Sequence, residues 1–152
     1  MAAITYNDIL ASVKTSIAQA PTPDDAMRQA VTILKHQMPD YSWVGIYLMD
    51  GEDLVLGPFL GKPSPHTRIP LNQGICGAAA SNKKTIIVDD VDADPRYLAC
   101  SLETRSEIVV PIIRGSTVLG EIDIDSDKKA AFGSADRDLL ESVAALLARK
   151  LS

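Results

Sequence analysis

The sequence predicts an α+β domain with a largely antiparallel central sheet. N- and C-terminal helices lie on one face and long pocket-forming loops on the other. Three observations predict it. Helical apolar spacing is concentrated at the two ends of the chain. Two hairpin signals, Asp50-Gly51 and Gly115-Ser116, lie between aromatic and β-branched runs. Two long Pro- and Gly-bearing segments separate these runs.

In chain order, Leu10, Val13 and Ile17 recur at three and four residues, which predicts a helix from about Asn7 to Gln19, stopped by Pro21 and Pro23. Thr22-Pro23-Asp24-Asp25 is a helix start, with an N-cap threonine, proline at the first position and acids in the first turn. Met27, Ala30, Val31, Leu34 and Met38 then share one face of the second helix. "YSWVGIYLMDGEDLVLGP" predicts two strands and their turn. "GKPSPHTRIPLNQGICG" is expected to be an ordered loop entering a short helix, and Thr85 to Asp90 a short strand. "VDADPRYLACSLET" is a second loop, "EIVVPIIRGSTVLGEIDID" a hairpin, and the segment capped by Ser134 an amphipathic helix with Leu139, Leu140, Val143, Leu146 and Leu147 inward. Long ordered loops in a compact domain are usually functional, so these two are expected to roof a pocket.

The 152 residues suit a single domain, 1–152, and 46% hydrophobic with 23% charged residues is ordinary globular composition. A net charge of −5 excludes the basic footprint of a nucleic-acid binder and disfavours an anionic membrane surface. No apolar run approaches a membrane span and the N-terminus lacks signal-peptide regions, so a cytoplasmic protein with reduced thiols is expected. Two cysteines, even with His36 and His66, lack the spacing of a zinc site, so no metal site is expected from them.

Three constellations carry chemistry. On a strand, Glu121, Asp123 and Asp125 point one way and Ile122 and Ile124 the other. Aspartate is disfavoured in strands and like charges on one face repel, so a cation between them is a better account than a solvated face. A ligand ammonium, a metal ion or a basic side chain would serve. Glu107 joins this face if the hairpin loop is Arg114-Gly115-Ser116, which pairs it with Asp123; a two-residue loop pairs it with Ile124 and turns it away. Pro111 signals an edge or a bulge that shifts the register again. The second constellation is the cysteines: Cys76 sits among small residues in "GICGAAA" and suits packing, whereas Cys100 lies in a loop near Arg96 and Arg105, where positive charge favours a thiolate. The third is Trp43 and Tyr47, four apart on a strand and so on one face, either core or an aromatic wall.

Together, "WVGIY", "LVLGPFLGKP", "RIP" followed by "GICG", "LACS" followed by "SEIVVPI", and "LGEIDIDS" resemble the free methionine-(R)-sulfoxide reductases, a family built on the GAF fold. The resemblance implies that Cys100 is the catalytic nucleophile. It implies that Glu107, Asp123 and Asp125 hold the substrate's ammonium and handle protons, and that Trp43 and Tyr47 wall the methyl-sulfinyl end. It implies free methionine sulfoxide as substrate, thioredoxin as reductant, no cofactor, and a homodimer through the terminal helices as a family habit. The chain departs from the family at His66, which stands where the usual resolving cysteine lies. It departs again at Arg96-Tyr97-Leu98, which replaces Gly-His-Ile, and at Ser101, which replaces an Asp. Cys76, matching the family's other non-catalytic cysteine, or an external thiol would then resolve the sulfenic acid. The alternatives are a non-catalytic ligand-binding GAF sensor and a divalent-metal site on the acidic face. The sensor reading is weakened because such domains are usually fused to an effector.

Overall fold

The computed structural model describes residues 4–98 and 102–152. Helix α1 (Tyr6–Gln19) opens on Thr5, whose side chain accepts from the Asp8 backbone N–H while Asp8 returns a bond to the Thr5 N–H. Helix α2 (Pro23–Gln37) starts as expected, with Thr22 as N-cap and proline first. Six strands follow: β1 (Trp43–Asp50), β2 (Asp53–Leu60), β3 (Arg68–Pro70), β4 (Ile86–Val88), β5 (Ser106–Arg114) and β6 (Thr117–Ser126). Helix α3 (Gly74–Asn82) lies between β3 and β4, and α4 (Ser134–Leu151) closes the chain. The sheet order is β3-β2-β1-β6-β5-β4 and every neighbouring pair is antiparallel.

Alternation along the central strands makes two cores. Val44, Ile46, Ile108, Val110, Ile112, Ile122 and Ile124 point to one face and pack under α1, α2 and α4. Trp43, Tyr47, Val88 and Val109 point to the other and pack against Ile75, Cys76, Ala79 and Ala80 of α3. The terminal helices therefore share one face, as predicted, and the middle of the chain covers the other.

Three details differ from expectation. "RIP", read as loop, is an edge strand; three residues are too few for alternation to show. Ser134 is not the cap of α4: the cap is Gly133, whose N–H donates to Asp136 (2.9 Å). Neither expected hairpin register occurs. The turn is the two-residue one, with Arg114 opposite Thr117, but an extra residue, Leu119, bulges out between the Ile113–Val118 and Ile112–Gly120 pairs. The bulge restores the parity that the short turn would have lost, so Glu107 pairs with Asp125 and stays on the acidic face. Pro111 does lie at an edge, since β4 reaches β5 only as far as Val109.

Candidate functional site

The face under α3 collects residues from three strands. On β1, Trp43, Gly45 and Tyr47 lie opposite Asp125, Asp123 and Glu121 of β6. On β5, Glu107 lies opposite Asp125. All four acids are buried: Glu121 is 0% exposed, Asp123 1%, Asp125 3% and Glu107 4%. The solvated-face reading is thus excluded. Among the described residues, both carboxylate oxygens of Glu121, Oδ1 of Asp123 and Oδ1 of Asp125 have no hydrogen-bond partner. Buried polar atoms left this way are costly and rare, which makes the cluster the candidate site.

Burial pushes all four carboxyls above their ordinary range. Glu107 is driven well up by desolvation and then by the negative charge of Asp123 and Asp125 on either side. Asp125 is driven well up by desolvation and Asp123, with the bond to Glu107 opposing. Glu121 follows the same pattern, raised by burial and Asp123 while contact with the Cys76 thiol opposes. Asp123 is raised by burial but relieved by Glu107 and the Cys76 thiol, so it is the member that ionises most readily. Glu121 was visible in the alternation of "GEIDIDS" but was not named as a site residue; its place in the cluster depends on α3 sealing this end of the sheet.

Cys76 enters from α3. Its sulfur and one carboxylate oxygen each from Glu107 and Asp123 all lie within 4.8 Å of one another. The small-residue packing read from "GICGAAA" is present, with Ala79 and Ala80 buried beside it. Packing brings the thiol to the acids, which sequence distance could not reveal. Burial and the charges of Asp123, Glu121 and Glu107 push the Cys76 thiol well up, so it stays protonated at neutral pH.

The aromatic pair is held from outside. The Trp43 indole N–H donates to the Lys62 carbonyl (2.9 Å), and its ring stacks on Phe59 with centroids 5.6 Å apart. The Tyr47 hydroxyl donates to the His66 carbonyl (2.7 Å). Two glycines make the slot for the indole: a Cβ on Gly45 would lie 2.3 Å from Trp43 Cη2, and one on Gly61 2.6 Å from Trp43 Cδ1.

Two small cavities flank the acids. One of ≈ 60 Å³ is lined by Trp43, Lys62, Ser64, Glu103 and Asp125 among others. The other, ≈ 20 Å³, is lined by Tyr47, His66, Cys76, Leu98, Glu107 and Asp123 among others. A larger groove of ≈ 580 Å³ lies between β5 and α4, away from the carboxyls. Cys100 lies outside the described residues, as does Ser101; Leu98 and Glu103, on either side of them, line the two cavities flanking the acids. Arg96, one of the charges expected to activate Cys100, is paired with Asp94 (2.7 Å), and Arg105 donates to the Leu102 carbonyl (2.9 Å). No helix among the described residues is long and apolar enough to cross a membrane.

Comparison with known proteins agrees with this architecture. The GAF domain family model matches residues 22–151. GAF domain-containing protein A of Dictyostelium discoideum is 36% identical over 143 residues, 93% of this chain and 89% of that protein. The free methionine-R-sulfoxide reductase of Escherichia coli is 34% identical over 120 residues, 79% of this chain and 72% of that protein. The X-ray structure of free methionine-R-sulfoxide reductase from Neisseria meningitidis in complex with its substrate superposes with a TM-score of 0.92 at 35% identity, covering 96% of this chain and 87% of that one. With its antiparallel six-stranded sheet, terminal helices on one face and acid cluster on the other, the chain belongs to the GAF domain family, in the part of it that includes the free methionine-R-sulfoxide reductases.

Proposed function

We propose that this protein reduces free L-methionine-(R)-sulfoxide to methionine. The observation that carries the reading is the buried quartet of carboxyls with unpartnered oxygens on Asp123 and Asp125, set beside a fixed indole. Such a cluster calls for a cationic partner, and the free ammonium of an unblocked amino acid supplies one. In this reading Asp123 carries the charge that meets the ammonium, with Asp125 and Glu107 completing the cradle. Trp43 and Tyr47 form the wall for the methyl-sulfinyl end, where sulfur–aromatic contact is favourable.

The chemistry assigned to Cys100 is attack by its thiolate on the electrophilic sulfoxide sulfur. A neutral carboxyl protonates the sulfoxide oxygen, which passes to the Cys100 sulfur as the new sulfur–sulfur bond breaks. Glu107, flanked by Asp123 and Asp125 and kept protonated, is the donor we favour. Methionine leaves with two electrons gained, and Cys100 ends as the sulfenic acid, carrying the oxygen. A second thiol then condenses with it, releasing water and forming a disulfide, which a further thiol reduces. Cys76 is poorly suited to be that second thiol, being buried and protonated among carboxyls. An external thiol, supplied by thioredoxin or a small dithiol, fits better, and His66 in place of the family's usual cysteine accords with this.

The test is turnover of free L-methionine-(R)-sulfoxide by the native protein and by Cys100→Ser, with dithiothreitol and with thioredoxin as reductants. Cys100-dependent turnover is expected with dithiothreitol at least. Activity with dithiothreitol alone would place the departure from the family in the recycling step. No turnover with either reductant would overturn the proposal in favour of a ligand-binding GAF domain without chemistry.

A further inference from the structure

The corner where α3 meets the acidic strands has a donor set that amino acid recognition does not require. The Cys76 thiol is buried within 4.8 Å of oxygens from both Glu107 and Asp123. These three side chains line a cavity of ≈ 20 Å³, closed on its other sides by residues that include Tyr47, His66, Ile69 and Leu98. That volume admits one or two water-sized occupants and no organic molecule. Asp123 Oδ1 has no hydrogen-bond partner among the described residues although the residue is 1% exposed, and the two orphan oxygens of Glu121 lie on the same face two β-pairs further along.

We propose that Cys76, Glu107 and Asp123 form a binding site for a single thiophilic divalent cation of the zinc class. One sulfur and two carboxylate oxygens are three ligands of the kind zinc accepts, at about 2.3 Å for sulfur and about 2.0–2.2 Å for oxygen. Around such an ion, tetrahedral donors stand about 3.5 Å apart, a spacing that donors lying within 4.8 Å of one another can adopt by small side-chain adjustments. The thiolate selects against magnesium and calcium, which prefer all-oxygen shells. A thiolate and two carboxylates supply three negative charges against the ion's two, and the protons of the thiol and of Glu107 are released to solvent as it binds. Glu121, whose carboxyl contacts the Cys76 thiol, offers a fourth ligand. Cys76 comes from α3 while its partners come from β5 and β6, so the ion would also pin the helix to the sheet. Glu107 and Asp123 cannot serve an ion and an ammonium at once; that consequence, competitive inhibition by the metal, rests on the function proposed above, whereas the site itself does not.

The experiment is a Cd²⁺ titration of the reduced full-length Cys100→Ser protein, followed by the ultraviolet thiolate-to-cadmium charge-transfer band. With Cys100 removed, Cys76 is the only thiol left. A band that saturates at one equivalent is expected, absent when Cys76→Ser is added and at least ten-fold weaker in affinity when Asp123→Asn is added instead. Absence of the band in Cys100→Ser, or an affinity unmoved by Asp123→Asn, would overturn the site. Should the Cys76→Ser combination fail to fold by circular dichroism, Glu107→Gln in the Cys100→Ser background replaces it, with the same ten-fold weakening expected and an unchanged affinity overturning the proposal. The titration needs no turnover, so its failure and a failure of the reductase assay are separate results.

Discussion

Trp43 owes its position to two residues without side chains. Gly45 and Gly61 lie against its indole so closely that a methyl group on either would occupy ring atoms' space. Gly61 also has φ +131°, so substitution there adds backbone strain. Gly45 is the cleaner probe. Gly45→Ala is expected to push the indole off Phe59 and out of its slot, raising KM for the sulfoxide about ten-fold or more while the protein still folds. Steady-state kinetics beside a thermal melt would check it; an unchanged KM would remove Trp43 from the substrate wall. At this scale the sequence was informative about identity and poor about neighbours. A period of two set Asp123 with Asp125, and separately Trp43 with Tyr47, on one face of their own strand. That Cys76 faces the same acids could not be read this way, because the contact runs between a helix and two strands about 30 to 50 residues away in the chain.

Among the elements, β6 and α4 each depend on one local device. In β6 the bulge at Leu119 sets which way Glu107 points relative to its partners, and Gly120 next to it packs where a Cβ would lie 2.2 Å from the Tyr47 carbonyl oxygen. Gly120→Ala is expected to force β6 from β1, costing about 2–3 kcal/mol in chemical denaturation, as overpacking does. Activity should fall further than stability, since Tyr47 and Glu121 are displaced together. In α4 the device is Asp136, which accepts from the Gly133 N–H (2.9 Å), the Tyr41 hydroxyl (2.7 Å) and the Tyr6 hydroxyl (3.2 Å). One carboxylate thus starts the last helix and fastens it to α1 and to the chain entering β1. Tyr41→Phe should cost about 1–2 kcal/mol in the same measurement, and a loss below about 0.5 kcal/mol would deny that linkage. The helices were legible because their apolar spacing and caps are local. The hairpin register was not, because turn length alone sets it only when no bulge intervenes, and nothing about Leu119 distinguishes it from an ordinary strand residue.

Across the whole molecule, the acid cluster ties stability to pH. Glu107, Glu121, Asp123 and Asp125 all have folded values raised above those of the unfolded chain, so the folded state holds protons that the unfolded state has lost. Stability from this source is complete below the unfolded carboxylate range, about pH 4, and is lost as pH rises from there towards the folded values. Asp8 and Asp94, whose values are lowered, act in the opposite sense only at still lower pH. Denaturation by urea should therefore give a larger unfolding free energy at pH 5 than at pH 7. Glu121→Gln should flatten that slope by up to about 1.4 kcal/mol per pH unit and leave the protein more stable at pH 7. A native slope that is flat or rises with pH would mean the carboxyls ionise at ordinary values. The overall layout was the most legible level of all: hairpin signals, terminal amphipathic helices and the middle loops predicted the layers. What they left open was depth, for an alternating acidic strand reads either as a wet surface or as a cation site until the element that covers it is known.

The chain contains one tryptophan, and it is Trp43. Its indole sits one side chain away from Asp125 and borders the same ≈ 60 Å³ cavity. Excited at the red edge, where the four tyrosines do not absorb, the emission of the native protein is therefore a report from this corner. An equilibrium titration with an amino acid, a metal ion or acid can be followed through that one fluorophore, without a label and without waiting for a turnover.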